Sequence, residues 1–290
     1  MFKRAVFTDE ISQDFKKAVD VAVEYKLDGL EIRSVWEKPP QNITPDDVKK
    51  MQGIMAGTGL KVCCIASPFF KCDITSDAEY NQHMDILKNC IKLAHAFDCK
   101  IVRGFTFWRK GSPDEHWQMI LDKFEEPLKI LQAEGITLGI ENEASTYIGT
   151  GVVLKRFLGE IRSPHVASIW DPCNVIFDDL VKEVPYPDGY NAIKDKMVHM
   201  HLKDAMRDKT TGKPFCTKIG EGEIDFKGQF QALINDRYEG YVSLETHWRP
   251  QSLTEDEMNR PGGSSFSKEG EFASRVCLDN WNRLMKGLKA

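Results

Sequence analysis

The chain has 290 residues, 41% of them hydrophobic and 29% charged, and a formal net charge of -5. This is the composition of an ordinary soluble globular protein. It contains no apolar run approaching the roughly 18 residues that span a bilayer, so no membrane association is expected. No block of Lys and Arg occurs, which argues against nucleic acid as a partner because phosphate neutralisation needs clustered cations. The opening residues, MFKRAVFTDEISQDF, lack an apolar stretch and a small-residue cleavage site, so the expected location is cytoplasmic. The eight cysteines, Cys63, Cys64, Cys72, Cys90, Cys99, Cys173, Cys216 and Cys277, form no C-x-x-C pair and are expected to be free thiols.

In chain order, AVFTD (5–9) reads as a first strand, followed by a helix over 14–26 with Phe15, Ala18, Val21, Ala22 and Tyr25 on one face. DGLEIR (28–33) is a second strand. The next helix, 44–59, opens with Thr44 as N-cap, Pro45 at its first position and acids in its first turn. Strands follow at 61–68 and 100–107, separated by a helix over 78–98. A helix over 114–135 then leads to further strands at 135–143, 165–171, 197–204 and 240–248. Apolar strands alternating with amphipathic helices predict parallel βαβ units, and eight of them suit a closed (β/α)8 TIM barrel of the α/β class, a single domain over 1–290. No G-x-G-x-x-G follows the first strand and no Walker A sequence occurs. The Pro- and Gly-containing stretch 249–265 is expected to be a loop and a candidate lid.

Active sites of such barrels are built at the C-terminal ends of the strands. Strand five ends in Glu141-Asn142-Glu143 and strand six in Asp171. Strand seven presents His199 and His201 on one side, and strand eight ends in Glu245. A lone strand-end glutamate is ordinarily an ion-pair partner, and a lone strand histidine a satisfied core residue. Several carboxylates aimed inward are harder to explain that way, because burying an unpaired one costs several kcal/mol. A bound cation is the simplest compensation. Three carboxylates with one imidazole make a hard site suited to Mn first, with Mg or Co as alternatives and Zn accepted.

The segments GIENE, WDPCN, VHMHLKDAMRD, GEGEIDF and YVSLETHW resemble the xylose isomerase-like family of sugar and sugar-phosphate isomerases and epimerases, with the D-tagatose 3-epimerase branch as the best motif match. The resemblance covers essentially the whole chain. It implies one divalent metal ion held by Glu141, Asp171, His201 and Glu245, with Glu141 and Glu245 acting as acid and base on opposite faces of the substrate carbon. It also suggests Arg207 as a contact to a substrate hydroxyl or phosphate, and Glu221, in the Gly220–Gly222 turn, as a residue ordering the site. Two positions depart from the epimerase pattern: Asn174 stands where a histidine is expected, and Tyr147 where a second glutamate is expected. Asn142, His199, Lys203, Arg103 and Trp108 complete the set of expected substrate contacts, with Glu31, Ser67 and Arg249 as further strand-end candidates.

The chemistry this implies is proton abstraction beside a carbonyl through an enediolate, giving epimerisation or isomerisation of a sugar or sugar phosphate. A metal-dependent lyase acting on a keto-sugar or an inosose uses the same first step and is the alternative. From another class, the chain is a sugar-binding barrel without turnover, since fold alone does not give function. The three-zinc DNA-repair endonucleases of the same superfamily need many histidines and a basic face, and only seven histidines are present. A homo-oligomer is allowed by the resemblance and undecided by the sequence.

Overall fold

The structure, a computed structural model, describes residues 1–251 and 265–289. Its strands are β1 (Lys3–Phe7), β2 (Gly29–Ile32), β3 (Lys61–Phe69), β4 (Ile101–Gly104), β5 (Thr137–Glu141), β6 (Val166–Trp170), β7 (Met197–Leu202), β8 (Asp204–Arg207), β9 (Pro214–Thr217) and β10 (Tyr241–Leu244). Eight of them close a parallel barrel in the order β1-β10-β7-β6-β5-β4-β3-β2, as the alternating pattern predicts. β8 and β9 form a separate antiparallel hairpin between β7 and β10. That hairpin was not expected: the 197–204 run breaks at Lys203, and Asp204 starts a new strand.

The helices are α1 (Thr8–Ile11), α2 (Phe15–Glu24), α3 (Pro45–Met55), α4 (Asp77–Ala96), α5 (Pro113–Lys123), α6 (Glu125–Glu134), α7 (Gly151–Ile161), α8 (Pro172–Phe177), α9 (Tyr190–Ile193), α10 (Phe226–Asn235) and α11 (Gly270–Met285). α3 begins with a complete capping box, the Asp47 N–H donating to Thr44 Oγ1 and the Thr44 N–H to Asp47 Oδ2, which satisfies two otherwise orphaned donors. The single helix expected over 114–135 is two helices meeting at Phe124. Pro127 accounts for the break: in a continuous helix its ring would clash with the carbonyl four residues earlier, whereas in a first turn its missing N–H is not needed. The expected lid stretch 249–265 lies almost entirely outside the described residues. No helix among the described residues is long and apolar enough to cross a membrane, and all eight cysteines are free.

Alternation along each strand separates two surroundings. Outward residues such as Val6, Leu30, Ile65, Leu138, Trp170, Met200 and Leu244 join the large core under the helices. Inward residues fill the lumen. At its N-terminal end Ala5, Cys63, Cys64 and Ile169 form a small apolar cluster with Ile101 and Tyr241 packed against it. At its C-terminal end the inward positions are ionic.

Candidate metal centre

Four successive strands of the barrel, β5, β6, β7 and β10, deliver Glu141, Asp171, His201 and Glu245 to one place. All four are buried, and each offers a ligand atom within 4.8 Å of the others. His201 Nδ1 is 3.3 Å from Glu141 Oε1, 3.9 Å from Asp171 Oδ2 and 3.9 Å from Glu245 Oε2. Strand geometry explains the convergence, since each residue occupies the last inward position of its strand or the residue just beyond its end.

The other atom of each group is held from outside the cluster. Arg103 donates to Glu141 Oε2 at 3.0 Å and Arg33 to Glu245 Oε1 at 2.9 Å. Asp171 Oδ1 accepts the backbone N–H groups of Cys173 and Asn174, capping α8. His201 Nε2 lies 3.3 Å from Glu31 Oε1. Outer contacts of this kind orient first-sphere ligands in metal sites. Arg33 is itself fixed at three corners, to Asp9 at 2.7 Å, Glu10 at 2.7 Å and Glu245, and it lies over the Phe7 ring.

The donor set fits a divalent cation. His201 Nδ1 and Asp171 Oδ2 are buried and make no hydrogen bond of good geometry among the described residues, although Lys203 Nζ stands 2.7 Å from Asp171 Oδ2 and 2.9 Å from Glu245 Oε2. Among the described residues, six buried carboxylates, those of Asp9, Glu10, Glu31, Glu141, Asp171 and Glu245, face four buried Lys and Arg side chains at this end, Arg33, Arg103, Lys203 and Arg249. The pKa shifts report the same imbalance. Burial alone would lower the pKa of His201, but Glu141 and Glu31 push it up to about 10. Burial lifts Asp171 to about 6 against the pull of Lys203. Burial likewise opposes ionisation of Glu141, yet His201 and Arg103 bring it down to about 2. Protonated His201 thus supplies positive charge that a cation among these oxygens would also supply.

The remaining expected site residues divide into groups. Asn174 joins the cluster, its amide donating to Glu141 Oε1 at 3.0 Å and to the Asn142 carbonyl at 2.8 Å. Lys203 and Arg103 touch it as described. Asn142 uses its amide on the backbone, donating to the Asp171 carbonyl and accepting the Asp171 N–H, so it locks the end of β5 to that of β6. His199 lies one inward step below His201 and pairs with Glu31 at 2.8 Å. Trp108 is half-buried, with Lys71 5.7 Å from its ring centroid. The structure does not bring Arg207 or Glu221 into the cluster. Arg207 pairs with Glu223 at 2.8 Å and donates to the Ile176 carbonyl, and Glu221 is half-exposed beside Lys218. The turn that contains Glu221 is ordered by Asp204, which accepts the N–H groups of Gly220 and Gly222.

Sequence reasoning passed over Asp9, Glu10, Arg33 and His247. Arg33, just beyond β2, follows the strand-end candidate Glu31 by two residues as His201 follows His199 on β7, so the same period-of-two argument would have found it. Asp9 and Glu10 lie in the short helix α1, where acids read as surface residues. His247, with a left-handed φ of 44°, has Nδ1 3.0 Å from Glu10 Oε1.

A model of the xylose isomerase-like TIM barrel matches residues 19–266. The chain is 23% identical over 263 residues to an inosose dehydratase of Serratia proteamaculans, covering 78% of this chain and 81% of that one. Among solved structures, the D-allulose 3-epimerase of a Methylomonas species superposes with a TM-score of 0.70 at 15% identity, over 98% of both chains. A xylose isomerase-like TIM barrel protein from Mycobacterium smegmatis, in complex with magnesium, superposes with a TM-score of 0.68 at 14% identity, over 97% of this chain and 98% of that one. The chain belongs to the xylose isomerase-like TIM-barrel family.

Proposed function

We propose that this protein is a divalent-cation-dependent enzyme that removes a proton from the carbon beside the carbonyl of a polyhydroxy ketone, a keto-sugar, its phosphate or an inosose. The observation that carries the reading is the pair of glutamates at the two ends of the ligand quartet. Glu141 and Glu245 each keep one oxygen on an arginine and turn the other toward the shared focus. Glu141, Asp171, His201 and Glu245 would hold the ion, with Mn first and Mg, Co or Zn as alternatives. When bound, such an ion acts as a Lewis acid toward a carbonyl and its neighbouring hydroxyl.

The chain's own residues do the rest. Glu141 and Glu245 are both held ionised by cationic neighbours, so either can accept a proton from carbon. The opposite glutamate, once it has taken a proton from a substrate hydroxyl or solvent, delivers it to the other face and inverts the centre, whereas return by the first glutamate to the adjacent carbon isomerises. Arg103 and Arg33 keep the two carboxylates from rotating out of line. The surrounding aromatic groups, Phe7 against His201 at 5.0 Å and Phe105 beneath Arg103, restrict water and so strengthen each charge interaction.

Loss of water is the second reading, and one residue favours it. Lys203 is a buried ammonium between Asp171 and Glu245, a group able to give a proton to a hydroxyl departing at the quartet, and the curated relative is named for a dehydration. Incubation with manganese, magnesium, cobalt or zinc and a panel of inososes, ketoses and ketose phosphates, with products identified by NMR, tests both readings. An epimer or isomer supports the first and an unsaturated ketone the second. Sugar binding with no product under any of the four metals contradicts both and favours a binding barrel.

A further inference from the structure

Glu31, the third residue of β2, lies on the Nε2 side of His201, away from the ligand cluster, and is fully buried. Its Oε1 is 3.3 Å from His201 Nε2 and its Oε2 is 2.8 Å from His199 Nε2. A single carboxylate therefore bridges the two inward histidines of β7. We propose that Glu31 is the positioning residue that selects the ligating nitrogen of His201, and through it makes the quartet a cation receptor. This inference rests on the metal-dependent reading above.

An ionised carboxylate only accepts hydrogen bonds, so an imidazole nitrogen facing it in a buried site carries its proton. Both Nε2 atoms that face Glu31 are therefore N–H donors. In neutral His201 the lone pair is then confined to Nδ1, the atom that faces Glu141, Asp171 and Glu245 at 3.3 to 3.9 Å. A lone pair among three carboxylates has nothing to attract it except a cation. The opposite tautomer would aim an Nε2 lone pair at Glu31 and an N–H at the quartet, which closes the site to metal. Glu31 thus decides between a hydrogen-bonded cluster and a coordinating one.

His199 completes the device. It occupies the second oxygen of Glu31, and its own Nδ1 is buried without a hydrogen-bond partner among the described residues. With one imidazole N–H on each oxygen, the carboxylate cannot rotate without losing a bond. Phe7 meets the His201 ring edge-on, with centroids 5.0 Å apart and an interplanar angle of 75°, which limits a ring flip. The chain His199, Glu31, His201 is a carboxylate–histidine arrangement of the kind that fixes tautomer and raises ligand basicity in metal sites.

Glu31→Gln removes the charge and adds an amide NH2, so one of the two imidazoles must give up its Nε2–H. The test pairs calorimetric titration of the chelator-treated protein with manganese(II) and histidine 15N NMR of the zinc(II)-loaded protein. In the wild type we expect His201 to carry its proton on Nε2, with Nδ1 bearing the coordination shift. In Glu31→Gln, whether His201 loses its Nε2–H or keeps it on a neutral amide oxygen, we expect manganese affinity to fall by about 10- to 100-fold, with the circular dichroism spectrum unchanged. Equal manganese affinity in folded Glu31→Gln overturns the inference and leaves the metal reading standing. A His201 proton on Nδ1 in the loaded wild type overturns it even if the variant fails to fold. If the wild type binds no divalent cation, the metal reading fails and this inference with it.

Discussion

Ile101, Gly139 and Ile169 belong to the closed apolar end of the lumen, and two residues further along the same strands stand Arg103, Glu141 and Asp171. Tyr241, Ser243 and Glu245 make the same climb on β10 from ring to hydroxyl to carboxylate. One inward step of about 7 Å thus separates residues that pack from residues that carry charge. The lower end holds the barrel shut by burial, and the upper end spends stability on excess negative charge. That contrast is the ordinary division of labour in such barrels, with stability at one face and chemistry at the other. Here the two meet inside the lumen, so a substitution at one level has a different signature from a substitution at the other.

The sharpest break in the comparison comes from the upper end. Glu245→Gln keeps the shape but removes a proposed proton carrier and one negative ligand, so turnover should fall by about 10²- to 10⁴-fold with weaker manganese binding, read by steady-state kinetics and metal titration. Lys203→Met should come next. It leaves Asp171 and Glu245 without the ammonium between them, a loss of about 3–5 kcal/mol in the chelated protein. Added manganese should restore more stability to this variant than to the wild type, as denaturant melts with and without metal would report.

A titrating group outside the lumen gives the third comparison. His83 on α4 accepts the Phe70 N–H through Nδ1 at 2.8 Å, and burial lowers its pKa to about 4. The unfolded chain, with an ordinary value near 6.5, binds the extra proton first. The contribution of neutral His83 is therefore complete above about pH 6.5 and is lost as pH falls toward 4, about 3 kcal/mol in all. Denaturant melts across that window should show the slope in the wild type and a flatter one in His83→Gln, whether or not metal is present. The smallest effect belongs to the lower end. An added methyl at Gly139 would lie 2.5 Å from Ile169 Cγ1, so Gly139→Ala should cost about 1–3 kcal/mol while manganese affinity stays at the wild-type value.

The eight barrel strands and the four clustered residues were legible because both rest on a period of two: apolar runs of strand length, the last four of which carry an acid or histidine at or near their ends. The family resemblance carried the assignment of roles. What the sequence hid depends on tertiary context. Arg33 reads as a solvated strand end until Asp9, Glu10 and Glu245 surround it, and nothing local marks α1 as buried. Of the β8–β9 hairpin only Asp204 fell within an expected strand, 197–204, and the rest was assigned no element because its apolar content is low. Arg207 and Glu221 were carried over from motif position alone, and the structure gives each a partner outside the cluster.

The central claim is that the charged end of the lumen removes a proton beside a carbonyl only with a divalent cation in place. Proton NMR of inososes, ketoses and ketose phosphates in deuterium oxide tests it most directly, with manganese added and then withdrawn by a chelator. The account predicts loss of one C–H signal next to the carbonyl of at least one substrate, stopped by chelation and resumed when manganese returns. Exchange that continues undiminished after the metal is removed, or no exchange in any member of the panel, would contradict it.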